Sequence, residues 1–319
     1  LEEYRQRGLI RTQVSYFKRR LRERGCLLSH IQGIPYYYRQ FGYEYALPLE
    51  GGLRLELRHV PEPPEEPFTF RRAEIDDLPF LRRLYEEAVQ ELNIHAVRDE
   101  AVWRYLLIRA PGTETEVEYW LIQRAAGEII GYMGLPLRHF GEELVVSEVS
   151  RLRFDAALAV LHHLKTLAVE RGKPGIRLNL PANCTLMRLA RSLGAHDLGT
   201  YAWQIHVPDV VALLSTLAPV LERRVAESPF AELTRDLRLS FYQETILLRF
   251  VGGKLLEVTN LGFTSGGEKV RLPPLQFIPL VLGYRTVEEL RAAYPDVSVS
   301  SACRLLVETL FPKMRAFIY

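Results

Sequence analysis

The stretch Arg5-Gln6-Arg7-Gly8-Leu9-Ile10-Arg11, continuing as TQVSYFKRRLRERGCLLSHIQGIPYYYRQFGYEYAL over residues 12–47, decides how the chain is read. Ile10, Val14, Phe17 and Leu21 recur at i, i+4, i+7 and i+11, the spacing of one face of a helix with 3.6 residues per turn. Gly25 supplies a C-terminal stop. Arg11, Lys18, Arg19, Arg20 and Arg22 fall on the outward face, which reads first as a solvated surface and second as an attraction for an anionic tail. The start of such a helix leaves four backbone N–H groups unpaired and carries about half a positive charge. A glycine there admits an anion close to the main chain, and arginines add charge. Residues 5–11 are therefore a candidate cradle for a pyrophosphate. Many ordinary helices also begin after a basic, glycine-containing turn, so this segment does not decide the matter alone.

Working outward, residues 26–31 (CLLSHI) read as a short buried strand. Gly33-Ile34-Pro35 breaks the chain ahead of Tyr36-Tyr37-Tyr38-Arg39-Gln40-Phe41-Gly42-Tyr43, and a further strand runs over 43–47. In this order and spacing the segment resembles the GNAT superfamily of acetyltransferases. Their pyrophosphate loop reads Arg/Gln-x-x-Gly-x-Gly/Ala and opens a helix, which a buried strand and a Tyr-x-x-Phe-Gly-Tyr/Phe element follow. The corresponding residues are Arg5-x-x-Gly8-x-Ile10, the strand over 27–31, and Tyr38 to Tyr43. Ile10 departs from the small residue usual in the superfamily and is closer to the Eis-like branch, which tolerates a larger aliphatic side chain.

The resemblance implies a set of expectations. Acetyl-CoA is the cosubstrate, held by Arg5, Gln6, Arg7, Gly8, Leu9, Ile10 and Arg11, with no metal. Tyr38 is the general acid that protonates the departing thiolate, and the terminal carboxylate of Tyr319 reaches the active site as general base. The acceptor is a primary amine, either a small polyamine- or aminoglycoside-like molecule or a lysine side chain, and the protein is a ring-like homo-oligomer. The alternative is a non-catalytic protein on the same scaffold that binds acyl-CoA or an apolar ligand. For Tyr36, Tyr37 and Tyr38 the plain reading is that they pack a strand or cap a pocket.

The rest of the chain extends the pattern. VPEPPEEP (60–67) reads as a linker, since proline suits neither helix nor sheet interiors and the glutamates stay solvated. Beyond it come a strand over 68–72, a helix opened by Asp76-Asp77-Leu78-Pro79, a hairpin of 119–123 with 129–133, a strand over 144–149, a helix over 155–170, a strand over 176–180, a helix over 185–193 and a strand over 201–207. At 150–155 (SRLRFD) the place of a second phosphate loop holds no glycine, and Phe154 and Asp155 would obstruct an anion. A third region begins with a helix over 208–222. A three-stranded meander over 237–258 follows, then helices over 275–282, 287–293 and 302–310.

The expected fold class is α+β. It comprises the C-terminal part of a first GNAT module (1–64), a second, degenerate GNAT module (65–207), and a sterol-carrier-protein-like domain (208–319). The first module is short, so about 80–100 residues are expected to precede it in the parent protein.

Composition narrows the partners. The formal net charge of +2 gives no push toward nucleic acid or a membrane surface, and no apolar run reaches the ~20 residues of a bilayer span. Cys26, Cys184 and Cys303 are odd in number and widely spaced, which argues against a disulfide framework or zinc site and fits the cytoplasm. Adjacent His162 and His163 point about 100° apart on a helix and cannot easily share a metal. His30 reads as a satisfied core histidine, and His95 and Asp99 are candidates for a substrate cleft. Thr264-Ser265-Gly266-Gly267-Glu268-Lys269 lacks P-loop spacing and reads as a turn.

Overall fold

A computed structural model describes residues 7–125, 127–264 and 270–318. By its contacts the chain divides into two compact units, one formed by 1–47 with 202–314 and the other by 48–201 with 315–319.

In the first unit the opening helix runs Leu9–Glu23. Its end is closed by backbone bonds: the Cys26 N–H donates to the Leu21 carbonyl (2.9 Å) and the Gly25 N–H to the Arg22 carbonyl (3.0 Å), with Gly25 at φ 64°. That is the reciprocal closure a glycine stop makes available. The apolar face differs from expectation. Only Leu21 is buried, while Ile10 and Phe17 remain 47% exposed. The period identified the helix correctly but could not say how much of that face finds a neighbour. The strand expected at 26–31 shrinks to Ser29–Ile31, with only Ser29 buried. It pairs antiparallel with the end of the His196–His206 strand, placing Ser29 opposite His206 and Ile31 opposite Gln204.

The same unit holds a five-stranded sheet in the order Lys254–Asn260, Thr245–Val251, Arg235–Ser240, Val270–Arg271, Ser298–Val299. Its pairings are antiparallel except for the parallel one between Arg235–Ser240 and Val270–Arg271. Alternating Leu237 and Leu239 are buried with Leu248, Phe250, Phe277, Leu306 and Phe311. The single helix expected over 208–222 is two, Val210–Thr216 and Ala218–Ala226. Pro219 has no N–H to donate and sits well only in a first turn, so a new helix starts there.

The second unit contains an antiparallel sheet in the order Phe68–Arg72, Val117–Arg124, Ile129–Pro136, Glu148–Val149. Residues 144–149, expected as one strand, are two. Leu144–Val146 pairs parallel with Gly175–Leu178, whereas Glu148–Val149 pairs antiparallel with Ile129–Pro136. Gly175–Leu178 also pairs antiparallel with residues 53–56 of the Glu44–Glu56 strand. The helix Phe154–Glu170 covers these strands, burying Ala157, Val160, Leu161 and Leu164 against Leu55, Val146, Ile176 and Leu178. Residues 60–67 form neither helix nor strand. Ala316–Phe317 makes a short strand, parallel to Ile94–His95, that sequence reading did not anticipate.

His163 projects from that helix into an aromatic sandwich, stacked on Phe70 at 4.1 Å and edge-on to Trp120 at 5.1 Å. Burial, assisted by Arg171 and His162, lowers its pKa to about 4, below the ~6.5 of an unfolded histidine. The folded state thus resists the proton that the unfolded state accepts. Stability from this site is indifferent to pH above about 6.5 and is lost as pH falls toward about 4. The ring is partly open to water, so the loss should be on the order of 1–2 kcal/mol. Denaturant melts at pH 7.5 and 4.5 should show a smaller acid loss for His163→Phe than for wild type, and equal losses would refute the assignment.

Candidate functional site

The described residues singled out between 7 and 47 lie in one compact unit together with residues 202–314. Arg5, Gln6 and Tyr319 fall outside the described residues. The described part of the basic segment opens the Leu9–Glu23 helix through Gly8, which adopts φ 73°, ψ 5°. A left-handed backbone of this kind favours glycine. No side chain caps this helix start, and its first turn holds no acidic residue. A Cβ built on Gly8 would meet nothing within 4 Å. Arg7, Gly8, Leu9, Ile10 and Arg11 are all exposed. Open space, outward N–H groups and two flanking arginines make a start that fits an anion such as a pyrophosphate.

The Phe154–Glu170 helix of the other unit is the contrast. Its N-terminal turn carries Asp155, whose carboxylate accepts from the Ala156 N–H at 2.9 Å. A negative charge thus stands in the first turn of this helix, where it disfavours a bound anion.

Tyr38 sits on a 3₁₀ turn, Tyr37–Phe41, rather than in a strand. The turn is bounded by two left-handed residues, Tyr36 at φ 60° and Gly42 at φ 82°. A tyrosine with positive φ is strained by about 1 kcal/mol or more and persists only where its surroundings hold it. Here the Tyr36 N–H donates to Tyr45 Oη at 2.9 Å, and the two rings meet edge-on at 6.0 Å. The Tyr38 ring is packed by Tyr37 (5.2 Å), Tyr43 (6.1 Å) and Phe41 (6.5 Å). Gly33 approaches from below: a Cβ there would lie 2.6 Å from Tyr38 Cε2. The plain packing reading of the tyrosines therefore holds for the ring. The Tyr38 hydroxyl itself makes no hydrogen bond among the described residues.

Behind the ring lies a polar layer. Tyr43 Oη and Ser29 Oγ, both buried, are 3.0 Å apart, and burial pushes the Tyr43 hydroxyl pKa up. The His206 ring lies 5.2 Å from that of Tyr43, with Nδ1 2.9 Å from the Gly42 carbonyl. Burial, with Lys18 and Arg22 nearby, lowers its pKa, so the neutral ring donates from Nδ1. Lys18 Nζ stands 3.4 Å from where a Gly42 Cβ would be, so the opening helix meets the tyrosine turn through Lys18. From Lys18 back to Gly8 is about 15 Å along the helix axis. The helix thus approaches the tyrosine turn well beyond its N-terminal cradle.

The other sequence candidates resolve differently. His30 is exposed and sits edge-on to Trp203 at 4.7 Å, so it is not a core histidine. Its strand is an edge with one solvent face, which the apolar run 26–31 did not reveal. Asp99 accepts from the Val102 N–H at 2.9 Å and caps the Glu100–Arg104 helix, and His95 Nδ1 is 3.0 Å from the Ala96 carbonyl. Both make local hydrogen bonds. Sequence reasoning missed Glu44, Gln276, Ser29, His206 and Gly33, all contributors to the Tyr38 environment. Among the described residues, no cluster of three or more His, Cys, Asp or Glu side chains could hold a metal, and no helix is long and apolar enough to cross a membrane.

No protein-family profile matches the chain, and no curated protein matches it by sequence. Solved structures do match. A GCN5-related N-acetyltransferase from Anabaena variabilis superposes with a TM-score of 0.66 at 15% identity, over 99% of this chain and 78% of its own. Another GCN5-related N-acetyltransferase, from Kribbella flavida, gives 0.64 at 18% identity, over 99% and 76%. Eis1 from Mycobacterium abscessus gives 0.58 at 17% identity, over 100% and 79%. The chain therefore has the mixed α and β fold of the GCN5-related, Eis-type N-acetyltransferases. At these identities the likeness establishes the fold alone.

Proposed function

We propose that the chain is an acetyl-CoA-dependent N-acetyltransferase acting on a primary amine, either of a small polyamine- or aminoglycoside-like molecule or of a lysine side chain. One observation carries the reading. A single unit combines an open, acid-free helix start at Gly8 with a tyrosine whose ring is packed by Tyr37, Phe41 and Tyr43 and whose hydroxyl is left without a partner among the described residues. That pairing lies on a fold shared with N-acetyltransferases. The same reading takes residues 1–64, 65–207 and 208–319 as its three modules, the last sterol-carrier-protein-like, and expects a cytoplasmic homo-oligomer.

When bound, the cosubstrate supplies an acetyl thioester. The backbone N–H groups from Gly8 onward, with Arg7 and Arg11, hold its diphosphate. Tyr38 Oη gives its proton to the departing thiolate sulfur as the C–S bond breaks and the N–C bond forms. The proton lost by the amine goes to a general base.

Thiol release from acetyl-CoA in the presence of a panel of amines tests this. Amine-dependent release is the expected result. Binding of acetyl-CoA without release across a broad panel would replace the enzyme with an acyl-CoA-binding protein. The packing beneath Tyr38 gives a second test. Gly33→Ala needs no unusual backbone but drives a methyl into the ring. It should cut kcat on the order of 10–10²-fold through displacement of the hydroxyl, with the KM for acetyl-CoA nearly unchanged. A wild-type kcat in this variant would show that the position of the ring is immaterial.

A further inference from the structure

Tyr38 lies on a short, strained turn, and a five-residue 3₁₀ segment is not stable by itself. What holds it is the neighbour of Tyr38. Arg39 Nη2 donates to Glu44 Oε2 at 2.6 Å, and the Arg39 guanidinium lies over the Tyr36 ring at 5.3 Å. Glu44 is 4% exposed. Its Oε1 accepts from the Tyr45 N–H at 2.9 Å, and its Oε2 also accepts from Gln276 Nε2 at 2.9 Å. Gln276 is itself buried and comes from a segment 232 positions later in the chain. A buried carboxylate thus has three donors converging on it, two of them from side chains, and all these residues belong to the same compact unit. Such a fully satisfied buried network specifies one geometry, because any rearrangement strands a charge.

We propose that Glu44 is the positioning residue of Tyr38, and that Gln276 brings the turn under the control of the region that follows residue 208. The carboxylate fixes the Arg39 guanidinium, and Arg39 fixes the backbone on which Tyr38 stands. The proposal rests on the reading of Tyr38 as general acid. It makes the C-terminal α+β region part of the machinery that sets the tyrosine rather than an appendage.

The test compares wild type, Tyr38→Phe, Glu44→Gln, Gln276→Leu and the Tyr38→Phe/Glu44→Gln double variant, all in the full chain. Two readouts are taken: steady-state kinetics with acetyl-CoA, and hydrogen exchange of the backbone amides over residues 36–43. Glu44→Gln keeps shape but sets an amide against Arg39. It should lower kcat on the order of 10–10²-fold with the KM for acetyl-CoA nearly unchanged, and should speed exchange in the turn. Gln276→Leu should do the same more weakly. The double variant should lose no more than Tyr38→Phe alone, which a general structural role for Glu44 would not produce. If Glu44→Gln does not fold, Gln276→Leu and Arg39→Lys carry the same comparison. Folded variants with wild-type kcat and exchange, alongside a disabled Tyr38→Phe, would overturn the positioning role and leave the general acid standing. Full turnover by Tyr38→Phe would overturn both, and the exchange data would then report only whether Glu44 holds the turn.

Discussion

Tyr38→Phe should lower turnover on the order of 10²-fold, the usual worth of a placed general acid, while the protein melts as wild type does. The two halves of that expectation come from different observations. The ring is what the structure uses: it meets Tyr37, Phe41 and Tyr43, and Gly33 leaves it room that no other residue would. Phenylalanine keeps all of those contacts. The hydroxyl forms no hydrogen bond among the described residues, so its removal leaves no buried donor or acceptor orphaned. Stability should therefore change by less than about 0.5 kcal/mol. Turnover measured at saturating acetyl-CoA and amine separates the outcomes: a fall in kcat with an unchanged melting temperature supports the acid, and an unchanged kcat rejects it. The size of the expected effect sets it apart from Gly33→Ala, which moves the hydroxyl without deleting it.

Removing Glu148 should severely destabilise the other unit. Arg98 donates to Glu148 through Nη1 (2.8 Å) and Nη2 (2.7 Å), a two-pronged pair whose side chains are nearly sealed from water. Tyr132 Oη donates to the same carboxylate, and the Arg98 guanidinium is sandwiched near the Tyr85 and Trp103 rings at 4.4 and 4.9 Å. Burial opposes the charge on Arg98, and Glu148 beside it more than restores that charge. Around the pair, burial and the nearby Glu148 charge push the Tyr132 hydroxyl well up, and burial takes Tyr85 to about 12. These hydroxyls stay protonated donors across the ordinary pH range. Glu148→Ala leaves a guanidinium in an aromatic pocket without its counter-charge, which costs about 3–5 kcal/mol. For a unit of the size formed by 48–201 with 315–319, that is a fall of roughly 6–20 °C in its melting temperature. Replacing both partners, as in Arg98→Met with Glu148→Leu, should recover much of the loss, since a well-packed apolar pair needs no desolvation of charge. A double variant as unstable as Glu148→Ala alone would show that the pair contributes more than mutual satisfaction of buried charge.

Local pattern carried a good deal of this molecule. The 3.6-residue spacing of Ile10, Val14, Phe17 and Leu21 located the opening helix, and Gly25 marked its end within two residues. The helix expected from Asp76-Asp77-Leu78-Pro79 formed at Leu78–Val89 with Pro79 in its first turn, although Asp77 makes no capping bond to it, and the hairpin expected from 119–123 and 129–133 formed in longer strands, Val117–Arg124 and Ile129–Pro136. The same kind of reasoning failed at Pro219, at Ser147 and at residues 26–31. At Ser147 and at 26–31 the outcome depends on which partner the backbone finds, whereas at Pro219 the missing N–H starts a new helix. Residues 144–149 divide because their two ends pair with strands in different sheets. Gly8 and Tyr38 were visible because their motifs are short and contiguous. Glu44 was not, since an isolated glutamate in a strand carries no signal until Arg39 and Gln276 close on it.

The residue order alone located the opening helix and the hairpin, the glycine turn at residue 8 ahead of that helix, and the lack of a glycine at 150–155. Those are properties of neighbours within one turn, where backbone geometry and capping chemistry act over a few ångströms. Only tertiary contact decided that the Tyr38 turn is strained and held, that Gly33 lies beneath its ring, and that Gln276 reaches Glu44 across 232 positions. Burial and long-range pairing depend on the packing of the whole unit, and no window of sequence contains that sum.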